Sequence, residues 1–269
     1  MNRIKTRFAD LASEGRKAVI PYIVAGDPGP EYTVPLMHAL VTAGADAIEL
    51  GIPFSDPMAE GKVIQLGHER ALANGTSLLK TLDVVKAFRG GDNSTPVVLM
   101  GYANPIERIG YEKFANYAAD SGVDGIITVD LPPEEAVALN EQLQRVGIDN
   151  IFLLAPTTSQ ARIKQITEIA SGFLYYVSLK GVTGAGHLDA GSVQTKVTEI
   201  KTYTDLPVLV GFGIKDAVSA KTIGTLADGV VIGSVLVDTM GGEPGQTEAI
   251  CKRLHNIVTD IRSGLDQCE

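Results

Sequence analysis

The sequence predicts an α/β protein in which eight β/α units close into a single barrel domain over residues 1–269, with one extra helix at the N-terminus. Three observations carry that reading. Short apolar runs rich in β-branched residues alternate with longer segments of helical pattern, as parallel strands with crossover helices require. A faint repeat, "AGADAIEL", "SGVDGIIT" and "LADGVVIG", places a small residue or glycine, then an aspartate, then an apolar run. No Pro/Ser-rich linker interrupts the chain. Eight units in about 250 residues fit a closed barrel better than an open sheet. The alternative, a doubly wound sheet, lacks a GxGxxG after the first strand.

The N-terminal "MNRIKTRFADLASEG" sets Ile4, Phe8 and Leu11 on one face of a short helix and lacks the apolar core of a signal peptide. The candidate strands follow in order: "AVIPYIV" from Ala18, "DAIEL" from Asp46, "PVVLM" from Pro96, "DGIITV" from Asp124, "NIFLL" from Asn150, "FLYYV" from Phe173, "PVLVG" from Pro207 and "DGVVIG" from Asp228. Amphipathic segments such as "PEEAVALNEQLQRVG" and "TSQARIKQITEIASG" lie between them. In the repeat, glycine suits a left-handed helix end from which the next strand starts at once.

Composition narrows the functional classes. The 45% hydrophobic and 20% charged residues are those of an ordinary globular protein, and 269 residues bury a sizeable core. Against 32 Asp plus Glu stand 23 Lys plus Arg, a net charge of -9 that argues against a nucleic-acid surface but not against a local anion pocket. No segment has the length and apolarity of a membrane span. Cys251 and Cys268 have no metal-ligand spacing and read as reduced thiols of a cytoplasmic protein.

A barrel of this kind carries its chemistry in the loops after the strands. Alternation along the second strand sends Ile48 and Leu50 to the helix layer, and Ala47 and Glu49 into the barrel mouth. A desolvated Glu49 has a carboxyl pKa raised into the useful acid/base range; the competing reading is a structural glutamate satisfied by a lysine or by backbone donors. Gly211 and Gly213 follow the seventh strand, Gly233 and Ser234 the eighth, and "GVTGAG" the sixth. Together these loops suit phosphate, although each glycine alone fits an ordinary turn. Tyr22, Tyr102, Tyr175 and Phe212, near strand ends, are placed to wall a flat apolar pocket or to serve as core. His38, His68, His187 and His255 show no metal-ligand pairing, and solvated or packed histidines are the default. From residues alone, the expectation is a carboxylate-driven enzyme acting on a phosphorylated substrate with an apolar portion.

At "IELGIPFSDPMAEGKVIQ" the chain resembles the tryptophan synthase alpha subunit family, and "IPYIVAGDP", "LMGYANPI", "DLPPEE", "APTTS", "YYVSLKGVTG", "VGFGI" and "DGVVIGS" extend the likeness in order over nearly the whole length. The resemblance implies a TIM barrel and a lyase of tryptophan biosynthesis. The implied reaction is retro-aldol cleavage of indole-3-glycerol phosphate to indole and glyceraldehyde 3-phosphate. It implies that Glu49 is the proton shuttle, that Tyr175 helps position the chemistry and that Thr183 orients the second acid. Backbone at Gly184, Gly213, Gly233 and Ser234 is implied to hold phosphate, and Asp56 to face a partner. That partner is a pyridoxal-phosphate-dependent β subunit that receives indole, in an assembly of two alpha and two beta chains; the resemblance implies no cofactor in this chain. The family motif has aspartate at Glu60 and proline at Lys62. Glutamate keeps the carboxylate and adds a methylene, and Lys62 lacks proline's fixed φ. Two readings follow: a working lyase, or a chain with weakened chemistry that mainly activates its β subunit, with Lys62 drawing Glu60 aside. A third, indole-3-glycerol-phosphate synthase, fits poorly with the intact "ELGIPFSDP".

Overall fold

Strand β1 (Ala18–Val24) pairs in parallel with β2 (Ile48–Gly51) on one side and β8 (Gly229–Ile232) on the other. Between them β3 (Val97–Gly101), β4 (Gly125–Thr128), β5 (Asp149–Leu154), β6 (Leu174–Val177) and β7 (Val208–Gly211) complete the circuit, so the sheet is a closed barrel with strands in sequence order. The computed structural model describes residues 2–178, 190–211, 213–241 and 247–268. Its strands overlap all eight runs expected from the sequence, with ends shifted by a residue or two.

Helices occupy the outside. α1 (Arg3–Glu14) precedes the barrel; α2 (Thr33–Thr42) follows β1; α3 (Lys62–Ala73) and α4 (Leu78–Arg89) follow β2. Next come α5 (Ala103–Ile109), α6 (Tyr111–Ser121), α7 (Val137–Val146) and α8 (Gln160–Ile169). The last four are α9 (Ala190–Lys201), α10 (Ala217–Gly224), α11 (Ser234–Met240) and α12 (Thr247–Leu265). Asn2, Ser77 and Ser159 cap α1, α4 and α8 by accepting N–H groups of the first turn. Gly122 and Gly147 end α6 and α7 at φ 86° and 76°, a conformation open to glycine without strain, and β4 and β5 start within three residues. No helix among the described residues is long and apolar enough to cross a membrane.

Two apolar layers result. One lies between strands and helices; the other, inside the barrel, includes Ile20, Ala47, Val98, Ile127, Ile151, Leu209 and Val231. Ile4 and Leu11 of α1 belong to the inner layer, so the extra helix closes the barrel's lower end.

The repeated aspartates explain how that end is held. Asp46, Asp124 and Asp228 stand before β2, β4 and β8. Each accepts an N–H at the start of the preceding strand: Val19 at 2.7 Å, Val97 at 2.8 Å and Val208 at 2.8 Å. Cations cover the remaining oxygen valence: Arg7 and Arg262 at Asp46, Arg3 and Arg89 at Asp124, and Lys201 at Asp228. A glycine with positive φ precedes the aspartate in the first two units, Gly44 and Gly122. The third has Leu226 and Ala227 there instead. The repeat is a structural clamp at the N-terminal ends of the strands, which leaves their C-terminal ends for function.

Candidate active site

Register places Tyr22 of β1 beside Glu49 of β2, and alternation sends Glu49 inward above Ala47. Glu49 is 1% exposed, and among the described residues neither carboxylate oxygen has a hydrogen-bond partner. Burial, and after it the charge of Glu60, pushes its carboxyl up from 4.5 to about 8. Among the described residues no lysine or backbone donor satisfies this carboxylate, as the structural alternative requires.

Glu60 reaches the same space from the loop between β2 and α3. Its Oε1 is buried without a partner among the described residues, and burial raises its carboxyl to about 7. The loop that carries it is tied at several points. Ile52 N–H donates to Met100 O at 2.7 Å, and Ala59 N–H to the Tyr102 hydroxyl at 3.2 Å. Phe54 stacks on the Tyr102 ring at 5.0 Å, and Gln65 donates to Glu60 O at 2.8 Å. Lys62 is exposed and forms no ion pair with Glu60 among the described residues.

Three tyrosines wall the acids. Burial first, then the charges of Glu60 and Glu49, raises the Tyr22 phenol; burial, then Glu49 and Glu60, raises that of Tyr175. Burial and then Glu60 push Tyr102 up to about 12. Two strand glycines make room for two of these rings. A Cβ on Gly51 would lie 2.3 Å from the Tyr22 hydroxyl, and one on Gly211 would lie 2.2 Å from that of Tyr175. The structure thus brings together Glu49, Glu60, Tyr22, Tyr102 and Tyr175. Two near-neutral carboxyls facing phenols and each other can pass a proton to and from a bound substrate.

Of the residues expected to bind phosphate, Gly233 immediately precedes α11 and Ser234 opens it, where the first-turn N–H groups lack intrahelical partners. Gly233 also lies against the Tyr22 ring, its notional Cβ 3.3 Å from Cδ1. Gly213 has φ 73° and is exposed. The neighbouring α10 is closed to an anion at its start, because Asp216 and Ser219 already form a capping box there. Asp56 is exposed on the β2–α3 loop and accepts the Ser55 hydroxyl at 2.5 Å. Thr183, Gly184 and Phe212 lie outside the described residues, as does His187.

Sequence reasoning assigned His68 no task, yet its ring is buried at the edge of the site, with Phe54 N–H at 3.1 Å from Nδ1 and Tyr22 Oη at 3.2 Å from Nε2. Its position on α3, between buried Gly67 and Ala71, was the available signal. No group of His, Cys, Asp and Glu able to hold a metal occurs among the described residues.

The family model described as tryptophan synthase alpha chain matches residues 8–265. The tryptophan synthase alpha chain of Nitrosococcus oceani is 55% identical over 269 residues, covering 100% of this chain and 99% of the relative. That of Ralstonia nicotianae is 55% identical over 266 residues, covering 99% and 100%. Among solved structures, the tryptophan synthase subunit alpha of Legionella pneumophila superposes with a TM-score of 0.91 at 44% identity, covering 99% of both chains. A tryptophan synthase structure from M. tuberculosis, in an open form, gives 0.87 at 32% identity, covering 98% of this chain and 99% of the other.

Proposed function

We infer the chemistry from one premise: the chain belongs to the tryptophan synthase alpha chain family. Its activity is the carbon–carbon lyase reaction of that family, cleavage of indole-3-glycerol phosphate to indole and glyceraldehyde 3-phosphate. Breaking that bond needs a proton on indole C3, which moves positive charge to the ring nitrogen. It also needs the proton of the adjoining hydroxyl removed, so that an aldehyde forms while the bonding electrons return to the ring. Glu49 performs both transfers, giving its proton to C3 and taking the hydroxyl proton in its place. Glu60 accepts the indole N–H and stabilises the positive charge that develops there. Tyr175 positions the reacting groups, and Tyr22, Tyr102 and Phe212 wall the indole. Thr183 orients Glu60, and backbone at Gly184, Gly213, Gly233 and Ser234 holds the phosphate.

The single observation that carries this reading is the buried carboxylate of Glu49 and the buried Oε1 of half-buried Glu60, both without a hydrogen-bond partner among the described residues, in one barrel mouth. It favours a working lyase over a chain that only activates its partner, since Glu60 stays with Glu49 and is not drawn off by Lys62. The partner is a tryptophan synthase β subunit, docked over the loop of Asp56, that carries the pyridoxal phosphate and takes up the indole. Two alpha and two beta chains form the assembly. Indole release from indole-3-glycerol phosphate by the isolated chain tests the reading. Measurable turnover is expected; none without β subunit, with full activation of β chemistry, would support the activator instead.

A further inference from the structure

Three features converge on one side chain outside the acid pair. The first is the approach of α3 to the barrel. At Gly67 a Cβ would lie 2.8 Å from Val237, 3.0 Å from Asp27 Oδ2 and 3.4 Å from Val24. The bare glycine therefore lets this helix sit close on β1 and α11. One turn on, Arg70 clamps Asp27 with two hydrogen bonds, at 2.6 and 2.9 Å, which fixes the helix against the loop after β1. The second feature is the adjacent residue, His68, which this packing seals at 2% exposure. The third is the pair of groups that it bridges. Phe54 lies on the loop that carries Glu60, and Tyr22 on the strand beside Glu49.

The hydrogen bonds fix the tautomer. A backbone N–H can only donate, so Nδ1 of His68 is the acceptor and the ring proton sits on Nε2. Nε2–H therefore donates to the Tyr22 oxygen, and the phenolic proton is left for another acceptor. The carboxylates whose charge acts on that phenol are Glu60 and Glu49. Burial pushes the imidazole down to about 4, so the ring stays neutral at working pH and keeps one donor and one acceptor.

We propose that His68 is a positioning residue for the cleavage reaction: its ring ties the loop that carries Glu60 to the Tyr22 hydroxyl beside Glu49, and so sets how the two acids face each other. The proposal rests on the lyase reading above. The loop is tied by His68 at Phe54, by Tyr102 at Ala59 and by Gln65 at Glu60, with a further bond at its root from Ile52. Removing the first leaves the Phe54 end of the loop held laterally by its stacking on Tyr102, while Gly213, Gly233 and Ser234 make no hydrogen bond to His68 among the described residues. The effect therefore falls on kcat rather than on KM.

The test compares His68→Leu, His68→Asn and His68→Gln in steady-state cleavage of indole-3-glycerol phosphate, with melting temperature as the check on folding. Leucine removes both ties. Asparagine retains an acceptor near the Nδ1 position, and glutamine a polar group near the Nε2 position. Since a misplacement of about 1 Å costs roughly a hundredfold, kcat should fall roughly 10- to 100-fold in the leucine variant and less in the other two, with KM within about threefold of the parent. A purely structural histidine would lower the melting temperature and leave kcat per folded molecule at the parental value, which overturns the proposal. Should the leucine variant not fold, His68→Asn with Tyr22→Phe decides. Each breaks the same contact, so the double variant should be no slower than the slower single one, and multiplied losses would contradict the proposal. A parent that releases no indole overturns the lyase reading and this proposal together, whereas an active parent with fully active His68 variants overturns this proposal alone.

Discussion

A carboxyl oxygen stripped of water and given no donor holds its proton more tightly, and among the described residues both oxygens of Glu49 and Oε1 of Glu60 are in that position. With one group pushed to about 8 and the other to about 7, the useful state has Glu49 protonated and Glu60 ionised. Below about pH 7 Glu60 gains a proton and, in the role proposed for it, loses its hold on the developing cation. Above about pH 8 Glu49 loses the proton that the proposed mechanism has it deliver. The pH profile of kcat/KM should therefore peak between these values. Glu60→Asp keeps the charge and should stay within about tenfold of the parent, while Glu60→Ala should cost on the order of a hundredfold or more. Equal rates for the Ala variant and the parent would make the second acid a bystander. The same burial acts on stability. Both folded-state values lie above 4.5, so the stability that these groups contribute is fully present below about pH 4.5 and is lost as pH rises through about 7 and about 8.

At the scale of the elements, the aspartates that open β2, β4 and β8 hold the strand starts together. Asp124 illustrates the cost of removal: it accepts Val97 N–H at 2.8 Å and Arg89 at 2.7 Å, both buried. Asp124→Ala leaves an unpaired buried guanidinium and an orphaned amide. Losing one partner of a buried pair costs about 3–5 kcal/mol, and urea unfolding should show a loss of that size with little change in kcat. A loss under about 1 kcal/mol, the value of an exposed ion pair, would mean that the clamp is ornamental. The sequence made these elements legible because each strand repeats the same local grammar, and period two sent Glu49 inward without any tertiary information. The aspartate was legible as a repeat, but not as a clamp, since its partners are set by register between strands about 27 residues apart. His68 was opaque for a sharper reason. Its partners, Phe54 and Tyr22, lie 14 and 46 residues away, and no local pattern announces a bridge between a loop amide and a neighbouring strand.

Over the whole molecule the two ends of the barrel divide the work. The lower end is closed by α1, through Ile4 and Leu11 in the inner layer and through Arg3 and Arg7 on the strand aspartates. The upper end carries the acids, and the one loop that bears Glu60 also bears exposed Asp56 four positions earlier. A partner that fixes Asp56 restricts Glu60 as well, and by linkage a substrate that orders the loop tightens the partner. Added β subunit should raise the rate of indole release, and Asp56→Ala should reduce that activation more than the basal rate; equal loss of both would remove the loop as the coupling element. The most direct test of the central claim, that the buried acid of β2 moves the proton, is single-site. Glu49→Gln keeps the size of the side chain and removes only its exchangeable proton. Indole release from indole-3-glycerol phosphate should fall by about 10²–10⁴-fold while glycerol phosphate binds as before. Turnover near the parental rate in a folded Glu49→Gln protein would contradict the account.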